Sequence, residues 1–263
     1  MRALWTAASG MKSQQLNIDT ISNNLANVNT VGYKKQRTEF KDLLYEKLIP
    51  ANFEDGEGKP VNLEVGHGVM TSAITRDFSQ GNLERTDNPY DMAIDGQGFF
   101  EVQDGQGNSF YTKDGTFKVS VDDASGRLVT SDGYFLQGDG GIIELGENVR
   151  DVEISKAGLI RVQRLDSDEF EDVATVNLYN FVNPSGLESV GSNLLKETAA
   201  SGAAVLSEDG ESGNVRQGFV ERSNVQVVDE MINMITAQRA YEINSKAIQT
   251  ADQMLEMANN LKR

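Results

Sequence analysis

The side chains in this sequence that could do chemistry are mostly carboxylates. Their densest group comprises Asp166, Asp168, Glu169, Glu171 and Asp172. Two smaller groups are Asp122-Asp123 and the segment 104–108. Clustered carboxylates can bind calcium, and paired carboxylates can act as the acid and base of a glycoside hydrolase. We interpret these groups as solvated hairpin turns, because among 40 acidic residues some proximity is expected by chance. A paired-carboxylate glycosidase stays open.

Other catalytic residue types are scarce. The chain has no cysteine and one histidine, His67, which lies between two glycines and is interpreted as a turn or strand residue. Disulfides and thiolate zinc sites are therefore excluded, and histidine-based triads or metal sites are nearly excluded. The sequence contains no Gly-x-Ser-x-Gly turn and no phosphate-binding loop. We predict a protein that is not an enzyme, with no catalytic residue, no cofactor and no metal.

Charge is distributed unevenly along the 263 residues. The net charge is −16, but residues 1–47 carry seven basic and four acidic residues, and residues 223–263 carry four and five. The middle, 48–222, carries 13 basic and 31 acidic residues. Nucleic-acid binding needs a basic footprint, so this class is disfavoured, and the acidic middle is interpreted as a solubilising surface.

The beginning of the chain has no pattern typical of a leader. The residues before Gly10 include one basic residue and lack an apolar run of adequate length. No stretch of the chain approaches the roughly 20 apolar residues of a membrane span. We therefore expect no membrane insertion. We also expect a cytosolic protein, or one that is exported without cleavage of a leader.

The first thirty residues have a seven-residue period typical of a helix with one apolar stripe. The repeating residues are Leu4, Met11, Ile18 and Leu25. The companion positions hold Ala7, Gln14, Ile21 and Val28. Such a and d spacing predicts a helix that packs against another helix, and Gly32 is a plausible C-terminal stop.

The last forty residues have the same period. The repeating residues are Val227, Met234, Tyr241, Ile248 and Leu255. The companion positions hold Ala237, Asn244, Ala251 and Ala258. Ser223 and Gln226 have the spacing of a capping box, so a helix is predicted over 224–260. Two amphipathic helices on an ordinary core stay open, but the narrow stripes favour helices that pair with each other or with neighbouring copies.

The middle of the chain favours β-structure. Short β-prone runs such as 99–102, 110–112 and 134–136 alternate with glycine-containing turn sequences, which predicts an antiparallel β-domain over about 90–220. Residues 33–45 have a mixed pattern that fits helix or extended chain. Residues 50–60 are rich in acid, glycine and proline, which predicts an exposed flexible arm.

These patterns together predict an α+β protein. Long N- and C-terminal helices form a coiled-coil-like domain, and a central antiparallel β-domain lies between them. The predicted division is 1–33, 34–70, 71–222 and 223–263. The predicted assembly interface is Leu4, Met11, Ile18, Leu25, Met234, Tyr241, Ile248 and Leu255. The predicted flexible arm lies between Pro50 and Pro60.

Three blocks of the sequence resemble the rod and hook protein family of the bacterial flagellum. The first contains Ile21-Ser-Asn-Asn-Leu-Ala-Asn27 and Asn29-Thr-Val-Gly-Tyr-Lys34. The second contains Gln80-Gly-Asn-Leu83 and Ala93-Ile-Asp-Gly-Gln-Gly-Phe-Phe100. The third is Met234-Ile-Thr-Ala-Gln-Arg-Ala-Tyr-Glu-Ile-Asn-Ser-Lys246. The stretch of about 45–63, marked by Tyr45, Pro50, Pro60 and Leu63, resembles an arm inserted in some members of the family and absent from shorter ones. The resemblance also implies that the coiled-coil-like terminal helices form the inner domain.

The resemblance implies a structural subunit of a hollow helical tube that transmits torque and serves as an export channel. It implies that the chain's partners are copies of itself, proximal rod proteins below, and a hook or hook-junction protein above. Surrounding ring proteins and the flagellar export apparatus are further implied partners. The implied location is the basal body, across the periplasm and cell wall. A hook or proximal rod subunit, and a β-rich sugar-binding protein or hydrolase, are the alternatives.

Overall fold

The computed structural model describes residues 2–49, 52–54, 57–59, 62–122, 125–147, 149–165, 169–207 and 213–260. The chain forms two compact units. We name the first the terminal unit; it comprises Met1–Ala26, Gln36–Arg76 and Gln226–Arg263. The second, the β unit, comprises Asn27–Lys35 and Asp77–Val225. A helix at each end and a β-rich middle were predicted, and this organisation is confirmed.

Both terminal helices form, with ends that differ from the predicted ones. Helix α1 spans Arg2–Ala26 and helix α2 spans Val227–Asn260. The predicted stop at Gly32 is wrong, because α1 ends earlier and Gly32 lies in a later turn with φ +70°. This is a left-handed conformation that glycine adopts without strain.

The predicted capping box of Ser223 and Gln226 is also wrong. A capping side chain must lie directly before the first helical residue, and α2 begins only after Gln226. Ser223 is too far upstream, and its Oγ accepts a hydrogen bond from Val225 N at 3.3 Å. Asp229 and Glu230 lie in the first turn of α2, where carboxylates favour the helix dipole.

The terminal unit also contains strands. They are β1 Gln36–Asp42, β2 Tyr45–Ile49, β3 Asn52–Glu54, β4 Glu57–Lys59, β5 Leu63–Gly66 and β6 Val69–Arg76. Strands β1 and β6, β2 and β5, and β3 and β4 pair antiparallel, so each inner pair is enclosed in sequence by the next. The segment after α1 therefore folds back on itself as successive antiparallel pairs.

The pairing of β1 with β6 groups residues 36–76 with the two helices. The predicted four-part division separated 34–70 from the helices and placed 71–76 in the β-domain. It remains a prediction, and the compact units are drawn differently because each strand of the β1–β6 ladder satisfies the backbone groups of the other.

The β unit contains many short strands and one short 3₁₀ helix, Pro184–Gly186. The strands are β7 Leu83–Arg85, β8 Met92–Asp95, β9 Phe99–Gln103, β10 Ser109–Thr112, β11 Lys118–Asp122, β12 Ser125–Val129, β13 Phe135–Gly138, β14 Gly141–Ile142, β15 Glu144–Gly146, β16 Val149–Ile154, β17 Leu159–Arg164, β18 Phe170–Thr175, β19 Leu178–Asn180, β20 Glu188–Gly191, β21 Leu194–Lys196, β22 Val205–Leu206, β23 Asn214–Gln217 and β24 Phe219–Glu221.

Most of these strands join one antiparallel sheet around a buried core. Its main path runs β11-β12-β13-β9-β10-β21-β20, while β16, β17 and β18 form a separate three-stranded sheet. Strand β9 shows how alternate residues form the core. Phe100 and Val102 are fully buried and alternate with the more exposed Glu101 and Gln103. The Phe100 ring meets Phe117 edge-on, with centroids 5.4 Å apart. Period-two alternation thus gives the β unit a continuous apolar interior.

Candidate assembly surface

The two terminal helices pack antiparallel within the terminal unit. A Cβ added to Gly10 would lie 2.8 Å from Asn244 Nδ2, so glycine allows the helices to approach closely there. Asn24 Nδ2 donates to Glu230 Oε2 at 3.2 Å. Asn24 lies 14 residues after Gly10, and Glu230 lies 14 residues before Asn244. Two contacts separated equally on both helices fix an antiparallel register.

Most of the buried positions on the two helices are small or polar. On α2 the buried side chains are Glu230, Ala237 and Ala251, and on α1 Ala7, Ile21 and Asn24 are among the buried ones. Glu230, Ala237, Asn244 and Ala251 recur every seven residues. Alanine at this spacing lets a facing helix come near. The companion positions identified in the sequence therefore provide the closest part of the α1–α2 contact.

The predicted interface residues lie beside this contact. Leu4, Met11, Ile18 and Leu25 are half-buried on α1, and Met234 and Ile248 are half-buried on α2. Tyr241 and Leu255 are 39% and 45% exposed. Their pairing, with each other or across copies, remains a prediction, and so does a coiled-coil association of the helices.

A second face of α1 packs on the β1–β6 strands through polar groups. Thr38 Oγ1 donates to Thr20 Oγ1 at 3.0 Å, and Ser13 is buried as well. Asn24 Nδ2 donates to Gln36 O, and Asn24 Oδ1 accepts from Gln36 N, both at 2.8 Å. The sequence gives no sign of this face, because its residues are polar and apolar periodicity marks only the other stripe.

The outer surface of α2 exposes apolar side chains. Val228, Met231, Ile232 and Ile235 are each about half exposed or more. Trp5 on α1 is 74% exposed. Exposed apolar residues that cluster on one element are typical of protein–protein contact sites, whereas scattered single ones are ordinary.

The base of the predicted arm exposes apolar residues as well. Leu44, Tyr45, Leu48 and Leu63 are all exposed. Pro50 and Pro60, the other two residues predicted to mark the arm, lie outside the described residues. His67 is placed in the loop before β6, where its Nδ1 lies 2.9 Å from Leu44 O, which fits its interpretation as a turn residue.

The β unit is closed by a buried polar cluster that we name the clasp. Lys34 Nζ donates to Glu221 Oε1 at 2.6 Å and to Ser79 O at 2.8 Å. Gly81 N also donates to Glu221 Oε1, at 2.7 Å, and Gly32 N donates to Glu221 O at 2.8 Å. The side chains of Lys34 and Glu221 are 4% and 1% exposed. The clasp joins the segment that follows α1 to the one that precedes α2.

The carboxylate groups with possible chemistry are used in turns and ion pairs where the structure describes them. Asp104 Oδ1 accepts from the backbone N of Gln106 and Asn108, and Asn108 Nδ2 donates to Oδ2. Asn108 above all lowers the pKa of Asp104. Glu171 and Asp172 pair with arginines of β17. The contacts of Asp104 agree with the interpretation as a turn. That interpretation is wrong for Glu171 and Asp172, which lie on strand β18.

The remaining chemical possibilities are tested only for part of the chain. Asp123, Asp166 and Asp168 lie outside the described residues. Within the described ranges, no three His, Asp or Glu side chains are grouped so that they could hold a metal ion. No helix in the described part of the chain is long and apolar enough to cross a membrane.

Three family descriptions match successive parts of the chain. Residues 4–34 match "Flagella basal body rod protein", 93–162 match "Flagellar hook protein FlgE/F/G D1 domain", and 216–261 match "Flagellar basal body rod FlgEFG protein C-terminal". The first and last matches cover the terminal helices together with the two clasp segments that adjoin them.

Full-length relatives carry the same description. The flagellar basal-body rod protein FlgG of Borreliella burgdorferi is 47% identical over 100% of this chain and 99% of its own. Those of Caulobacter vibrioides and Bacillus subtilis are 46% and 36% identical, each over 100% of both chains. The prediction of a flagellar rod subunit is confirmed. The chain therefore belongs to the flagellar basal-body rod protein family, as a structural subunit of the distal rod.

Proposed function

We propose that copies of this chain build the wall of a hollow helical tube through their terminal units. The observation that carries the proposal is the apolar surface of α2, where Val228, Ile232 and Ile235 remain exposed beside the α1–α2 contact. Neighbouring copies would cover this surface, and the predicted interface residues would extend it as a coiled-coil-like inner layer. The contact is heterologous, so it propagates as a helix.

The similarity to flagellar rod proteins supports the proposed place of the tube in the flagellum. The tube transmits torque and provides an export passage, with proximal rod proteins below and the hook or its junction protein above. Ring proteins surround it, and the export apparatus delivers the chain. It lies in the basal body across the periplasm and cell wall. We propose no enzymatic activity and no cofactor, because the family is structural and the described carboxylates serve turns and ion pairs.

The test is a charge placed on the exposed face of α2. The double variant Ile232→Asp, Ile235→Asp should leave the dilute chain folded, since both side chains are about half exposed, and should abolish polymerisation. Sedimentation and electron microscopy measure assembly. The matched control is Val121→Asp on β11, where the side chain is 76% exposed. Normal tubes from the double variant would refute the proposal.

The arm is proposed as a brace between copies, because Tyr45 and Leu63 at its base are both about half exposed. The double variant Tyr45→Ser, Leu63→Ser should increase the curvature of assembled rods in electron micrographs. Rods as straight as those of the parent would mean that the arm is only a connector.

A further inference from the structure

A cavity of the β unit combines aromatic walls with a buried cation. Its volume is about 580 Å³, and it is lined by Phe78, Phe99, Phe181 and Lys113 among others. This volume lies within the range of roughly 300–1,000 Å³ of pockets that hold organic ligands. The rings meet edge-on, with centroids 5.5 Å apart for Phe78 and Phe99 and 5.7 Å for Phe99 and Phe181.

Lys113 is buried without a carboxylate of its own. Lys113 is 6% exposed. Its Nζ donates to Gly96 O at 3.1 Å and lies 5.4 Å from the centre of the Phe99 ring. No carboxylate of the described residues forms an ion pair with it. Glu221, which raises its pKa, is already bonded to Lys34 and Gly81 N. A buried ammonium with spare donors favours an anionic occupant.

Burial lowers the pKa of Lys113 to about 8, while Glu221 raises it and Lys34 lowers it further. Most of the ammonium is therefore still charged at neutral pH. An arriving carboxylate would find a cation that has already lost most of its water, and such charge pairs are stronger than those at an open surface.

The rim of the cavity leaves room for an incoming chain. Val182 is 88% exposed, and Gln97 is exposed as well. The occupant that these features suit carries an aromatic ring next to a carboxylate.

The described chain offers this combination at the edge strand β18. Phe170 is 45% exposed, and its neighbour Glu169 is exposed too. Glu171 already pairs with Arg164 at 3.0 Å and Asp172 with Arg161 at 3.2 Å. Among the described carboxylates of this group, Glu169 has no ion pair. An exposed ring beside an unpaired carboxylate is complementary to the cavity in both shape and charge.

We propose that the Lys113 cavity of one copy receives Glu169 and Phe170 of a second copy. The ring enters the aromatic walls and the carboxylate meets the ammonium. Cavity and edge strand are different surfaces, so the contact is heterologous and repeats along an open helix. The inference rests on the proposed function, since it names a second contact between copies within the tube.

Cysteine cross-linking tests the contact directly, because the chain contains no cysteine of its own. Gln97→Cys combined with Glu171→Cys, which keeps Glu169 and Phe170, should give a ladder of disulfide-linked multimers on a non-reducing gel of assembled material. The matched control, Val121→Cys with Glu171→Cys, should remain monomeric on the same gel. Assembled rods that contain the first pair and give no ladder would overturn the inference and leave the proposed function intact.

A peptide gives a test that does not depend on assembly. The probe is residues 167–173, Ser-Asp-Glu-Phe-Glu-Asp-Val, titrated by calorimetry into the full chain that carries Ile232→Asp and Ile235→Asp. We expect saturable binding, and a loss of at least tenfold in affinity with Lys113→Met or with serine at the Phe170 position of the peptide. Absence of binding to the parent cavity would contradict the inference.

Two variants at the rim of the cavity distinguish an effect on peptide binding from an effect on folding. Val182→Glu should repel the acidic segment and Val182→Lys should retain or strengthen its binding. Neither should change the melting temperature, because this side chain is 88% exposed. Equal affinities for the two variants would show that charge at the cavity has no part in recognition.

Discussion

The terminal unit and the β unit use their apolar residues in opposite ways. The β unit buries a continuous core that includes Phe100, Phe117 and Leu136, all fully inaccessible. The terminal unit has few fully buried apolar side chains and exposes large ones such as Trp5, Ile232 and Met254. A segment that buries little apolar surface cannot offset the entropy lost on ordering. We therefore expect the β unit to be stable alone and the terminal unit to gain stability from neighbouring copies.

The largest expected effect is in the core of the β unit. Phe100→Ala should lower the free energy of unfolding by about 3–5 kcal/mol, because it leaves a cavity in the packed interior. Denaturant unfolding of the dilute chain measures this loss. The matched change in the terminal unit, Ile232→Ala, should have almost no effect on the same transition. A comparable loss from Ile232→Ala would contradict the contrast between the units.

The second-largest loss of stability is expected from breaking the clasp. Lys34→Met leaves Glu221 buried as an unpaired charge, and breaking a buried pair costs about 3–5 kcal/mol. The double variant Lys34→Met, Glu221→Met should recover much of this loss. Thermal unfolding of the parent, the single variant and the double variant measures these losses. Equal destabilisation by the single and double variants would contradict a role of the charge pair.

A smaller effect is expected where the helices approach. Gly10→Val should cost about 1–3 kcal/mol, because the added side chain overlaps Asn244. Ala8→Val, at an exposed position of the same helix, is the control. Hydrogen exchange of α1 amides in the free chain should rise with the first change only. Unchanged protection would show that the antiparallel packing is absent before assembly.

The smallest effect concerns the surface of the β unit. Arg127 Nε donates to Glu144 Oε1 at 3.0 Å across the β12–β15 edge. Arg127→Ala should change stability by no more than about 1 kcal/mol, since exposed ion pairs contribute little. A larger loss in denaturant titration would place this pair among the structural contacts.

The sequence predicted what depends on local periodicity. The stripes from Leu4 to Leu25 and from Met234 to Leu255 predicted both helices, and β-prone runs such as Phe99–Val102 between turn sequences predicted the strands. The partnership of β1 with β6 could not be predicted, because it joins segments whose separate patterns are ambiguous. The buried pair of Lys34 and Glu221 could not be predicted either, since no local pattern marks two residues so far apart in the sequence.

The closest helix contact was only partly predicted. The large residues of the stripe are the predicted interface, while the deepest positions hold Ala237, Ala251 and the polar pair Asn24 and Glu230. The two alanines lie at the companion positions of the period, but apolar periodicity cannot indicate that an asparagine and a glutamate meet there. Which of the large residues contact another copy is a matter for the assembly experiments.

The clasp also determines the order in which this molecule can be completed. Glu221 follows Lys34 by 187 residues, so a chain that emerges N-terminus first must deliver nearly the whole β unit before the two can meet. Contacts so distant in sequence form late and slowly. Until then the pair of Lys34 and Glu221 cannot form, even though Asn24 can already bond to the backbone of Gln36. We therefore expect a chain that ends before Glu221 to lack this closure of the β unit.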